Sequence, residues 1–476
     1  MTLDPGRIES IVAEVLERLE SPGRAPARGS EAGTTPLGIH ADLDTAAKAA
    51  RQAFEAFAQT PLETRVRIVA AIRTTLLANL RVLAEVAVEE TGLGRVEDKI
   101  IKNQLVAERT PGPEDLEPLI WTGDHGMTLL ERAPYGVIAV ITPVTNPSET
   151  IINNGISMIA GGNTALFCPH PNARRVSNLT IDLINRAARR AGATHPLLHS
   201  VERPTLEVAQ ALLRYPGIRL NVVTGGPGVV KEALASGKKA ITAGPGNPPS
   251  VVDETADLEK AARDLIFGAS LDNNIICTDE KEVIAVALIA DRLKEAFARA
   301  GAAVLQPHQT EKLRALILEK EHGPRKHAVI HRKFVGKNVD VILREAGIPC
   351  DARCRLALCD VDNDHPFLWT ELMMPVLPLT RVRSVDEAID FAIEVEHGFR
   401  HTASMHSRNI DKLSRMARAC DCSIFVKNGP NAAGLGWGGE GPTSFTIASP
   451  SGEGMTTARS FTRVRRCTLV DHFRIV

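Results

Sequence analysis

Residues 270–286 read SLDNNIICTDEKEVIAV, with Cys277 set between a run of side-chain amides and four charged residues. As a thiolate, cysteine attacks carbonyl carbon; as a thiol, it is a small buried hydrophobe. This stretch alone leaves both open. A second stretch, VVTGGPGVVKEAL at 222–234, puts Thr224, Gly225, Gly226 and Gly228 between a strand pattern and a helix pattern. Glycines there either let the backbone approach a pyrophosphate at a helix N-terminus or simply make a tight turn. The paired cysteines of CDARC (Cys350, Cys354) and CDC (Cys420, Cys422) lack the C-x-x-C spacing of structural zinc, and no H-E-x-x-H occurs among the fourteen histidines. No metal is expected.

These groups must be carried by larger elements. From 41 to 110 the chain is Ala/Leu/Val-rich with helical periodicity. The rhythm then changes: YGVIAVITP, NTALFC, RLNVVTGG and KKAITAG read as strands, alternating with SETIINNGISMIAGG, RRVSNLTIDLINRAARRAG, LEVAQALLRYPG and GVVKEALASG as helices. That alternation predicts a parallel sheet covered on both faces, whose strand C-termini accept dinucleotides. A second α/β lobe is expected from Val251, with KEVIAVALIA as a strand and FLWTELMMPVLPLTRV within it. The C-terminal TTARSFTRVRRCTLVDHF alternates as a strand that pairs with GMTLLERAPYG or with another subunit.

The 476 residues carry 56 basic and 57 acidic side chains, a balance that suggests neither nucleic acid nor a membrane surface as partner. No apolar run reaches the roughly 18–20 residues of a membrane helix, and the N-terminus lacks the order of a secretory signal. Cytoplasmic localisation is expected. Eight cysteines are too sparse for a disulfide framework. At the start, Ile8, Ile11, Val12, Val15, Leu16 and Leu19 recur every three or four residues, predicting an amphipathic helix over 1–20 followed by a Pro/Gly/Ser-rich linker over 21–36.

Three blocks carry a resemblance: ITPVTNPSETIINNGISMIAGGNTALFCPHPNARR (141–175), NNIICTDE (273–280) and HPFLWTELMMPVLPL (365–379). In this order and spacing they resemble the CoA-acylating branch of the aldehyde dehydrogenase superfamily, in particular the propionaldehyde and ethanolamine-pathway acetaldehyde dehydrogenases of bacterial microcompartments. The resemblance implies a Rossmann-like nucleotide-binding domain (37–120 and 136–248), an α/β catalytic domain (249–445) and a β oligomerisation arm (121–135 and 446–476). It implies that a short aliphatic aldehyde, propionaldehyde first and acetaldehyde next, is oxidised with NAD and coenzyme A through a thioester on Cys277. Cys277 is then the nucleophile, and its backbone N–H with the Asn146 side chain serves the oxyanion; hydrolytic relatives carry their amide one residue earlier, where this chain has Thr145. Nothing beside Cys277 in the sequence supplies an obvious cation to activate it.

For the cofactor, the resemblance assigns Thr224, Gly225, Gly226 and Gly228 to the pyrophosphate and Glu371 to the nicotinamide ribose. Pro169 and His170 stand where hydrolytic relatives grip the adenosine ribose with lysine; no cation there holds a 2′-phosphate, which favours NAD over NADP. The water-activating glutamate of hydrolytic relatives is replaced by Ala243 within ITAGPGNPPSVV, which has no carboxylate. The alternatives are a hydrolytic enzyme and a catalytically weak scaffold. The helix over 1–20 resembles peptides that dock cargo to microcompartment shell proteins, placing the protein inside such a compartment, and the family forms homodimers or homotetramers.

Overall fold

The computed structural model describes residues 35–476; the expected helix over 1–20 and all but the last two residues of the 21–36 linker lie outside the described residues. Four helices open the fold: Leu43–Phe57, Leu62–Leu77, Leu80–Thr91 and Val96–Arg109. The first begins where Asp42 accepts from the Thr45 N–H, and it buries Ala46, Ala47, Ala50, Ala53 and Phe57 along one face.

Behind them lies a six-stranded parallel sheet in the order Ile39–His40, Leu198–Val201, Thr164–Cys168, Val137–Ile141, Leu220–Thr224 and Lys239–Ala243. Val137–Ile141 and Thr164–Cys168 are buried at every residue, the pattern of strands covered on both faces. The strand order reverses beside Val137–Ile141, which makes a crevice at the C-terminal edge of the sheet. That edge carries Thr142–Asn146, Pro169–His170 and the glycine loop.

A second, seven-stranded parallel sheet runs Ala303–Leu305, Ala357–Asp360, Val376–Val382, Glu282–Val286, Pro249–Val252, Thr402–His406 and Ile424–Lys427. The apolar run expected as one strand, KEVIAVALIA, divides here: Glu282–Val286 is strand and Ala287–Arg299 is helix. A short buried run fits either state, and the burial of Ile289, Ala290, Leu293, Ala296 and Phe297 on one face decides for helix from Ala287.

A three-stranded antiparallel arm completes the fold. Leu119–Gly123 and Gly126–Pro134 form a hairpin, and Thr462–Val470 pairs with its second strand from Thr462 opposite Pro134 to Val470 opposite Gly126. The C-terminal strand is thus paired within its own chain. Asn163 joins this arm to the first sheet, accepting from the Tyr135 and Gly136 N–H groups and donating to the Phe461 carbonyl.

Candidate active site

Helix Leu258–Ser270 ends in a backbone conformation that most residues avoid. Asp272, Asn273 and Asn274 follow with φ of 47°, 58° and 64°, three consecutive left-handed non-glycine residues. Asn and Asp tolerate this region best, at a cost of order 1 kcal/mol or more each. Their side chains hold the turn. Asp272 accepts from the Arg95 N–H at 2.8 Å while its own N–H donates to Asp98 at 2.9 Å. Asn273 donates to the Gly336 carbonyl, and Asn274 donates to the Ala269 and Glu280 carbonyls. The turn delivers Cys277 to the edge of the main core, where it is partly buried beside Ile276.

Burial pushes the Cys277 thiol up to about 12; the Glu371 carboxylate and Asp279 add to the rise, and Lys281 opposes it. The resting thiol is therefore protonated at neutral pH. No cation stands directly beside Cys277 in the sequence, but Lys281, four residues on, is buried at 3% exposure and lies 4.0 Å from Glu371. A strand beginning with charged residues reads as a solvated face, but Asp279, Glu280, Lys281 and Glu282 are all buried. On the other side, a Cβ at Gly246 would stand 2.8 Å from the Cys277 carbonyl oxygen and 3.1 Å from His401 Cγ. Only glycine fits between them. His401 is held down at about 4 by burial and then by Lys281, so its ring is neutral.

Asn146 ends the strand-to-helix turn before Pro147–Ala160 and is 6% exposed. Lys102 donates to its Oδ1 at 2.7 Å, and its Nδ2 reaches Thr145 Oγ1 at 3.2 Å. Lys102 also meets Asp272 at 2.6 Å and Glu149 at 3.0 Å, while Lys99 meets Asp272 at 2.8 Å and the Thr145 carbonyl at 3.3 Å. Two ammoniums and two carboxylates thus neutralise one another in a buried cluster that joins Asn146 to the nucleophile turn. Burial pushes Asp272 up, but Lys102 and Lys99 outweigh it and keep the carboxyl below its ordinary range. The sequence singles out none of Lys99, Lys102 and Asp272: on the helix a buried polar face has the same spacing as a solvated one, and Asp272 lies in a turn whose polar run reads as a loop.

At the sheet edge, Thr224 pairs in register with Ala243, and the Gly225 N–H donates to the Ala243 carbonyl at 3.2 Å. Helix Pro227–Leu234 starts from Gly226. No atom lies within 4 Å of a Cβ built on Gly226 or Gly228, so the space over the helix N-terminus is open to a pyrophosphate, and the loop fits a dinucleotide. Glu371 accepts from the Gly246 backbone, which follows the same strand end, and so faces both this edge and Cys277. Pro169 is buried and His170 exposed at the end of the neighbouring strand. Ala243 is buried at the end of its strand. Among the described residues, no group of three or more His, Cys, Asp or Glu is placed to hold a metal ion, and no helix is long and apolar enough to cross a membrane.

A parallel α/β sheet with a dinucleotide crevice, facing a cysteine on a turn between two lobes, defines a nucleotide-dependent enzyme with a covalent step. The chain belongs to the aldehyde dehydrogenase family, whose model matches residues 17–457. It is 48% identical over 470 residues to the acetaldehyde dehydrogenase (acetylating) of Salmonella typhimurium, covering 98% of this chain and 99% of that one. It is 45% identical over 475 residues to the propanal dehydrogenase (CoA-propanoylating) of the same organism, covering 99% and 100%. Among solved structures, Rhodopseudomonas palustris propionaldehyde dehydrogenase, with bound CoA and an acylated cysteine, superposes with a TM-score of 0.88 at 48% identity, covering 91% of this chain and 98% of that one. A propionaldehyde dehydrogenase from the Clostridium phytofermentans fucose utilisation microcompartment gives 0.89 at 44%, covering 92% and 100%.

Proposed function

We propose that this protein is a CoA-acylating aldehyde dehydrogenase that converts a short aliphatic aldehyde to its acyl-CoA, with propionaldehyde first and acetaldehyde next. The carrying observation is Cys277 on a turn held by side-chain hydrogen bonds and acted on by Glu371 and Lys281; in the register of the resemblance Ala243 replaces the water-activating carboxylate. The Cys277 thiolate adds to the aldehyde carbon. Its backbone N–H and the Asn146 Nδ2 donate to the oxyanion that forms. Bound NAD supplies the hydride acceptor, and CoA supplies the thiol that receives the acyl group.

Loss of hydride leaves a thioester on Cys277, and attack by the CoA sulfur returns the Cys277 thiolate. Thr224, Gly225, Gly226 and Gly228 would hold the pyrophosphate, Glu371 the nicotinamide ribose, and Pro169 and His170 the adenosine side. The test is NADH formation from propionaldehyde by the protein and its Cys277→Ala variant, with and without CoA. Turnover requiring both Cys277 and CoA is expected; turnover without CoA would replace this reading with a hydrolytic one.

The same reading extends to partners. By its pairing register the arm exposes Leu119, Trp121, Val464 and Val470 on one face, an apolar surface suited to a second copy of the chain in a homodimer or homotetramer. Docking to a microcompartment shell or cargo protein through residues 1–20 is supported by the amphipathic pattern there and by the origin of the Clostridium relative. Deleting residues 1–20 should abolish encapsulation and leave turnover intact.

A further inference from the structure

We propose that Lys281 is a positioning residue for the nucleophile, locking the turn that carries Cys277 from behind and supplying the positive field that favours its thiolate. This rests on Cys277 being the nucleophile of the proposed reaction. A lysine ammonium has three hydrogens to donate and accepts none. Here all three are spent on the turn: Lys281 Nζ reaches the Asn274 carbonyl at 2.8 Å, the Asn274 Oδ1 at 2.8 Å and the Ile276 carbonyl at 3.3 Å. Both carbonyls belong to residues within three positions of Cys277. Asn274 is the last of the three left-handed residues, so Lys281 grips the turn where its backbone is most strained.

The charge matters as well as the grip. Burying an ammonium requires bonds and a compensating charge, and Lys281, at 3% exposure, has Glu371 at 4.0 Å. The charged groups that act most on the thiol are Glu371 and Asp279, which raise it, and Lys281, which opposes them. Around Lys281 stand Asp279, Glu280, Glu282, Glu371 and the neutral ring of His401. Burial holds all four carboxyls above their ordinary range, and Lys281 draws each of them back down. When the thiol ionises, the S–H electron pair stays on sulfur and the proton leaves to solvent. The new anion then forms in the field of Lys281, with Glu371 set against it. Without the ammonium, a buried thiolate would face carboxylates alone.

The experiment measures the rate of iodoacetamide alkylation at Cys277, located by peptide mass spectrometry, at fixed pH values between about 7 and 9, where the rate follows the thiolate fraction, in the full chain and in Lys281→Met and Lys281→Arg, beside CoA-dependent turnover. Alkylation should slow by about tenfold or more at each pH in Lys281→Met. Lys281→Arg should return it towards the parent rate. If Lys281→Met does not fold, Lys281→Gln, which keeps a donor but no charge, carries the same test. An unchanged rate in the neutral variant, with Cys277→Ala inactive, overturns the role of Lys281 alone. Full turnover by Cys277→Ala overturns the nucleophile reading and this proposal with it.

Discussion

Lys102 donates to Asn146 Oδ1 across 2.7 Å, and this bond assigns the orientation of the amide. An ammonium cannot accept, so the oxygen must face Lys102 and the NH₂ must face away from it. Of the two amide hydrogens one reaches Thr145 Oγ1, which leaves Asn146 one donor to spare for an oxyanion. Asn146→Ala should lower kcat by about 10²–10³-fold with little change in KM for the aldehyde, the signature of an interaction made in the transition state. Steady-state kinetics on the variant checks this.

Asp272 is the counter-ion shared by both buried lysines, at 2.8 Å from Lys99 and 2.6 Å from Lys102. Asp272→Asn keeps a residue that accepts the left-handed conformation but leaves two ammoniums facing Glu149 alone. The expected loss is about 3–5 kcal/mol of stability, read as a lower urea midpoint.

Glu280 is buried, and burial pushes its carboxyl up to about 8 although the Asn431 N–H donates to it. The unfolded carboxyl titrates near 4.3, so between these values the folded state holds a proton that the unfolded state has lost. Stability from this group is complete below about pH 4 and is lost as the pH rises through about 8. Glu280→Gln should flatten the decline in melting temperature between those limits, in a thermal-unfolding series across pH.

Gly246→Ala should cost both stability and activity. The added methyl would meet the Cys277 carbonyl oxygen at 2.8 Å and the His401 ring at 3.1 Å, and overpacking of this kind costs about 1–3 kcal/mol. A fall in kcat larger than the fall in melting temperature explains would show that the nucleophile turn has moved.

The parallel sheet was legible because its central strands are predominantly apolar and are spaced by helical periods, as in Val137–Ile141 and Thr164–Cys168. Cys277, Asn146 and Glu371 could be named because each sits in a block with a recognisable order. The buried ionic cluster could not. Lys99 and Lys102 share a face of Val96–Arg109 with Asp98 and Asn103, and periodicity reports that such a face exists without saying whether water or protein covers it. Lys281 was hidden for a related reason: charged neighbours in a row read as surface until a sheet and a second lobe close over them.

Gly126–Pro134 and Thr462–Val470 are neighbours in space but far apart in the order of synthesis. At about 5–20 residues per second, the hairpin leaves the ribosome roughly 15–65 s before its third strand exists. Throughout that interval the outer edge of Gly126–Pro134 offers unpaired backbone groups to any other nascent chain. Only Thr462–Val470 closes that edge, so a chain interrupted before Thr462 would keep both sheets of the body and still carry a template for aggregation.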